Sequence, residues 1–253
     1  MSIIDINRDS WNKQADRYQK NATFSFDEVD YGNSSYPKEK DLKLIGDVKG
    51  KKILELGCGG ANCGIALAKQ GAKMTCLDLS SEQIKYAQNY AKRENVDIRF
   101  ITSAIEDTSN FESKEFDKVI SICAFMYVKD IDKVFQEVNR MLKLGGTFVF
   151  SLNDPIFYSV AFGSIWKEDG ISDNYFYTGE EKWKWLDSDD FDFITYRRPI
   201  YEYINFLIDA GFSLERFYEF ESARQNASEE EIALYKKYPS LMVFKANKVR
   251  ECN

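Results

Sequence analysis

The chain has 253 residues, 44% hydrophobic and 30% charged, with a formal net charge of −7. That length fits one large domain, or a domain with an insertion, and the dispersed acidic excess argues against a nucleic-acid partner held by bulk electrostatics. Histidine is absent, which excludes Ser-His-Asp and Cys-His nucleophile systems and His-ligated metal sites and leaves proton transfer to Asp, Glu, Tyr, Lys or water.

The N-terminus, M-S-I-I-D-I-N-R-D, has early acids and no apolar core, unlike a secretory signal. Trp11, Ala15 and Tyr18 share one face of a helix predicted over residues 8–20. Residues 21–36 read as a loop. Pro37 opens a short helix reaching Ile45. Ile53, Leu54 and Leu56 form a buried strand, followed at once by Gly57, Gly59 and Gly60. A helix spans 61–70 and stops at Gly71. K73-M-T-C-L-D78 is a second strand, ending in a carboxylate.

Further on, Ser80 and Gln83 make a capping box for a helix to Arg93. Strands follow over 96–101 and 116–123. Asp130 caps a helix through Leu142 with Ile131, Val134, Phe135 and Val138 on one face. L144-G-G-T turns into a fifth strand. Residues 153–198 interrupt this alternation with a segment too long for an ordinary loop; it is rich in aromatics and acids, and W183-K-W-L alternates like a strand. A helix over 199–210 ends at Gly211. Two more strands, 212–219 and 241–246, flank a helix capped by Ser228 and Glu231. Strands alternating with helices predict an α/β doubly wound, mostly parallel sheet covered on both faces. The expected division is a helical cap over 1–46, a core over 47–152, an insertion over 153–198 and completion of the sheet over 199–253.

No stretch approaches the ~20 apolar residues of a membrane span, so no membrane partner is expected. Cys58, Cys63, Cys76, Cys123 and Cys252 are an odd, scattered set without paired metal spacing, which implies reduced thiols, a cytoplasmic location and no metal.

Between Lys52 and Asp78, a strand, a glycine turn, a helix and a strand ending in an acid make a nucleoside-binding βαβ unit, with the acid about 20 residues beyond the first glycine and placed to hold ribose hydroxyls. A dinucleotide fingerprint needs a third glycine where this chain has Asn62, and Glu55 would repel a pyrophosphate. An acid there suits a cationic ligand.

E-L-G-C-G-G followed by C-L-D resembles the first two motifs of the class I S-adenosylmethionine (SAM) methyltransferases. The resemblance covers about residues 11–246 and implies a Rossmann-like seven-stranded sheet ending in an antiparallel pair, with SAM as cofactor and S-adenosylhomocysteine as product. It places Glu55, Gly57, Cys58 and Gly59 around the methionine portion, Asp78 on the ribose, Leu79 on the adenine, Ser103, Ala104 and Ile105 at the adenine edge, and Cys123 beside the methionine portion. Ser103 stands where the family often has an acid. Phe125-Met126-Tyr127 replaces a loop that commonly bears histidine; Tyr127 is the candidate for its polar function, and Phe125 and Met126 also fit as packing residues. W-x-x-x-A-x-x-Y in the first helix resembles related small-molecule enzymes, in which Tyr18 would close over the SAM carboxylate; a packing face is the competing reading.

Methyl transfer from a sulfonium needs alignment and exclusion of water. Asp154, after the fifth strand, is a candidate for orienting or deprotonating a substrate; capping the turn before Pro155 is the competing and favoured reading. Asn153, Tyr158 and Tyr196 are candidate substrate contacts. The expectation is a SAM-dependent methyltransferase, monomeric or homodimeric, acting on N or O of a small molecule, with N favoured by the acidic insertion. An NAD-dependent oxidoreductase and a non-catalytic SAM-binding module are the alternatives.

Overall fold

A computed structural model describes residues 1–22, 25–32, 36–161, 174–184, 192–221 and 228–252. The central sheet has seven strands: β1 (Lys52–Leu56), β2 (Lys73–Asp78), β3 (Ile98–Thr102), β4 (Phe116–Ile122), β5 (Leu142–Asn153), β8 (Phe212–Phe220) and β9 (Leu241–Lys248). Their order is β3-β2-β1-β4-β5-β9-β8. The first five run parallel, and β9 is antiparallel to both β5 and β8. The helices are α1 (Ile3–Asn21), α2 (Glu39–Leu42), α3 (Asn62–Lys69), α4 (Ser81–Arg93), α5 (Ile131–Met141), α6 (Pro155–Ala161), α7 (Ile200–Asp209) and α8 (Glu229–Tyr235).

The strand period of two sorts side chains onto two cores. Leu54, Phe148 and Phe150 face one core, shared with Phe135 of α5 and Leu207 of α7. Ile53, Ile120 and Val149 face the other, shared with Leu67 of α3 and Ile84 of α4. This is the doubly wound α/β architecture the sequence predicts. Phe125 packs among Phe135, Phe148 and Phe150 with ring centroids 5.5–5.9 Å away, so it serves the core.

Several local expectations change. α1 starts at Ile3, because Ser2 and Asp5 form a full capping box upstream of the amphipathic stripe. The helix after Pro37 is a single turn, α2. The buried Glu39 carboxylate ends it by accepting from the N–H groups of Leu44, Ile45 and Gly46. Ser80 accepts from Gln83 N, but the Gln83 side chain pairs with Gln19 instead of closing the box. Asp130 makes no capping hydrogen bond; it pairs with Lys133. The insertion contains a second sheet, β6 (Gly179–Lys184) against β7 (Asp192–Arg197), antiparallel. Trp183 lies on β6; Trp185 and Leu186 lie outside the described residues.

Candidate active site

The glycine turn sits at the C-terminal ends of β1 and β2. Gly57 N and Cys58 N both donate to Leu77 O, at 2.8 and 2.9 Å, which clamps the turn to β2. Gly57 has φ +71°, and a Cβ there would lie 2.3 Å from Ala124 Cβ. Only glycine meets both conditions. Gly59 N donates to Asp78 Oδ2 at 2.7 Å and Ser80 N to Asp78 Oδ1 at 2.9 Å. The backbone therefore fixes the acid that ends β2. Burial raises its pKa above the ordinary aspartate value.

One cavity opens above this turn. Tyr18, Glu55, Gly57, Cys58, Gly59, Asp78, Leu79, Ala104, Ile105, Cys123 and Tyr127, all singled out in the sequence, border it. Ser103 does not: its hydroxyl donates to Asp107 Oδ2 at 2.8 Å and its N–H to Asp78 O. Cys123 follows β4 in a left-handed conformation, φ +52°. Burial pushes its thiol up to about 11, so it is neutral at physiological pH.

Glu55 is 2% exposed. It accepts from Cys76 Sγ at 3.5 Å and from the amide of Gly64, and among the described residues no cation pairs with it. Burial, the largest cause, pushes its carboxyl up to about 8, with the Asp78 charge acting in the same direction.

α1 roofs the cavity. It is tied to α4 by Ser80 Oγ donating to Asn12 Oδ1 at 2.7 Å, by Gln19 donating to Gln83 at 2.6 Å, and by Tyr86 donating to Asp16. At its other end Asn7 mimics a strand partner: Nδ2 donates to Ile194 O and Oδ1 accepts from Ile194 N, both at 2.9 Å. Trp11 bridges the two, with Tyr18, Tyr127 and Phe193 at centroid distances of 5.4, 5.7 and 5.1 Å. These contacts bring the small sheet to the rim of the cavity. Arg198 reinforces the rim, donating to the carbonyls of Val128 and Lys129 beside Tyr127.

The remaining candidates lie elsewhere. Asp154 is buried at the start of α6, where Oδ1 accepts from Ile156 N at 2.8 Å. It does not border the cavity, and its visible role is the capping one. Asn153 donates to Met126 Sδ at 3.4 Å, and Tyr196 to Glu180 Oε1 at 3.3 Å; neither borders the cavity. The side chain of Tyr158 is outside the described residues. Asn7 and Asp30 border the cavity and were not picked out from sequence; Glu106, which closes the adenine-edge segment, borders it too. Asn7 carried a signal, four residues before Trp11 on the same helical face. Asp30, paired with Lys38 at 3.1 Å, carried none inside a segment that reads as loop.

The sequence model of the family described as a methyltransferase domain matches residues 47–176. The chain belongs to this family. The methyltransferase resembles a crystal structure from Listeria monocytogenes (TM-score 0.68, 26% identity, 82% of this chain and 95% of that one). It likewise resembles an S-adenosylmethionine-dependent methyltransferase from Mesorhizobium loti (TM-score 0.67, 26% identity, 81% and 94%). An uncharacterized Haemophilus influenzae protein is 28% identical over 87% of this chain and 89% of its own length. A ubiquinone biosynthesis O-methyltransferase from Vibrio atlanticus is 30% identical over 53% of this chain and 55% of that enzyme, so the methyltransferase spans about half the length of this named relative. The fold, the enzyme class and the SAM cofactor follow. The dinucleotide and non-catalytic alternatives are set aside. Among the described residues no helix is long and apolar enough to cross a membrane.

The residues present fit SAM. Gly57 leaves a cradle that a Cβ would close, Asp78 offers a fixed acceptor for a diol, and Glu55 is a buried carboxyl with no cation of its own.

Proposed function

We propose that this methyltransferase moves the methyl group of SAM to N or O of a small molecule that lacks an anionic group, and that it does so in the cytoplasm. The observation that carries this reading is the charge of the cavity above the glycine turn. Asp30, Glu55, Asp78 and Glu106 border it, and no Lys or Arg does so among the described residues. A phosphate-bearing acceptor would find no counter-charge there.

When bound, SAM supplies an electrophilic methyl carbon that an acceptor lone pair displaces directly. The chain supplies alignment and a dry site, which in well-oriented cases contribute roughly 7–11 kcal/mol. Asp78 holds the ribose, Leu79, Ala104 and Ile105 hold the adenine, and Tyr18, Cys58, Gly59 and Cys123 line the methionine end. Trp11 and Tyr127 close the acceptor side against water, and Tyr127 orients the nucleophile through its hydroxyl. Cation–π contact with these rings suits an amine. The similarity to a ubiquinone biosynthesis O-methyltransferase supports oxygen as the acceptor atom. Asp154, buried away from the cavity, has no place in this scheme.

Turnover of methyl-labelled SAM against a metabolite library tests the reading. Label is expected on neutral phenols, alcohols or amines. Transfer confined to phosphorylated or carboxylated metabolites would overturn it.

A further inference from the structure

We infer that Asp30 receives the N–H or O–H of the methyl acceptor and takes its proton as the methyl group arrives. The inference deepens the methyl-transfer reading above and rests on it.

Four carboxyl groups border the cavity. Both oxygens of Asp78 already accept backbone N–H groups, from Gly59 and Ser80. Glu55 lies between Cys76 and Gly64. Glu106 is an exposed residue that follows Ala104 and Ile105. Asp30 is the fourth, and it is 2% exposed. It comes from the segment between α1 and α2, and that segment is held in place on every side. Asp30 forms an antiparallel bridge with Lys38, and Glu39 N donates to Val29 O at 3.0 Å. Tyr31, wholly buried, donates its hydroxyl to the Glu39 carboxylate. Cys63 of α3 donates its thiol to Asp30 O at 3.7 Å, and Cys123, after β4, donates to Tyr31 O at 3.9 Å. Both cysteines border the cavity as well. Asp30 therefore stands preset at the methionine end, where the methyl group leaves.

Its hydrogen bonding is incomplete. Lys38 Nζ lies 3.1 Å from Asp30 Oδ1, yet that buried oxygen accepts no hydrogen bond. The lysine supplies counter-charge without a directed donor. The two neighbouring thiols serve main-chain carbonyls instead of the carboxylate. A carboxylate removed from water needs donors for its lone pairs, and an acceptor N–H or O–H in the cavity provides one. With histidine absent, a carboxylate is the natural proton acceptor. The acceptor lone pair forms the new bond to the methyl carbon. The carbon–sulfur bond breaks, and its electron pair stays on sulfur as the neutral thioether of S-adenosylhomocysteine. The proton left on the acceptor N or O passes to Asp30, and from there to solvent when the product departs. Tyr127 orients the nucleophile, and Asp30 is the base.

Two measurements on the full chain separate this role from a structural one: calorimetric binding of S-adenosylhomocysteine, and transfer from methyl-labelled SAM to phenol, catechol, benzyl alcohol and benzylamine. In Asp30→Asn, with folding checked by circular dichroism, S-adenosylhomocysteine should bind within about twofold of the parent, while kcat falls about 100-fold or more, as loss of a general base does. Lys38→Met removes the counter-ion and keeps the carboxylate; it should lose less than about tenfold. Equal losses in the two variants would reduce Asp30 to half of an ion pair and overturn the inference. A loss below about tenfold in Asp30→Asn would do the same, as would an affinity for S-adenosylhomocysteine that falls as far as kcat, which would put Asp30 on the cofactor. If Asp30→Asn does not fold, the parent saturated with S-adenosylhomocysteine decides. Catechol should then bind about tenfold or more tightly than 1,2-dimethoxybenzene, the same ring without O–H donors; equal affinities would overturn the inference. No transfer by the parent to any of the four compounds would remove the methyl-transfer reading, and the inference with it.

Discussion

The carboxyl of Glu55 occupies the space that a side chain at position 64 would need. A Cβ on Gly64 would lie 2.7 Å from Glu55 Oε2 and 2.6 Å from Cys76 Sγ. In the interior of α3, alanine is favoured over glycine by about 1 kcal/mol. Gly64→Ala should nevertheless destabilise, because overpacking a buried site typically costs about 1–3 kcal/mol. Urea unfolding measures the net change. A gain in stability would mean that Glu55 and Cys76 move aside freely.

Asp78 is the residue proposed to hold the ribose. Asp78→Ala removes a carboxylate that backbone holds in place. Hydrogen bonds to charged groups contribute about 1.5–3 kcal/mol, so affinity for S-adenosylhomocysteine should fall tenfold or more. An unchanged dissociation constant in a folded variant refutes the assignment.

Asp154 makes stability depend on pH. Burial, with a contribution from the Glu219 charge, pushes its carboxyl up to about 7, well above the ordinary aspartate value. The folded chain thus holds a proton that the unfolded chain has released between about pH 4 and 7. Stability falls as pH rises through that window, by up to about 1.4 kcal/mol per pH unit, and levels off above it. Asp154→Asn keeps an oxygen for Ile156 N–H and should flatten this slope. Glu55 acts in the same direction up to about pH 8, so the difference between variant and parent is the quantity to plot. Parallel profiles from pH 4 to 8 would show that Asp154 titrates normally.

Asn7 should matter for the roof. Asn7→Ala leaves the Ile194 N–H and carbonyl without their partner, at about 1–3 kcal/mol for each buried group. The Ile194 amide should lose protection from hydrogen exchange. Asn7→Asp keeps the acceptor and should be milder. Equal protection in all three chains would contradict the docking role.

The parts legible in the sequence were those set by short-range chemistry. Lys52–Asp78 could be read because the tight turn demands glycine at 57 and because Asp78 ends a strand. The order of the strands could not be read from periodicity, which says that a strand exists but not which neighbour it takes; only the antiparallel final pair was expected, and that through family resemblance. Asp130 looked like a cap and is instead an ion-pair partner of Lys133, since an exposed acid has competing partners that spacing does not reveal. Asp154 could be read for chemistry or, more readily, for capping, and its burial away from the cavity supports the capping role. Arg198 acts through carbonyls far away in the chain, so its side chain carries no local sign of the role, and Asn7 shows its helical face but not its distant partner Ile194.

The antiparallel strand β9 has a consequence for how the molecule is assembled. β8 is hydrogen-bonded to the sheet only through β9, which follows it in the chain. β8 therefore waits for β9, and the two add to β5 late in folding, as pairing across long sequence separation generally does. A chain interrupted before Leu241 would keep the whole glycine turn yet expose the open edge of β5, with Phe148 and Phe150 beside it. Such an edge is a template for association with other chains. Quality control of this enzyme thus falls on its last strand, remote from the residues that define its chemistry.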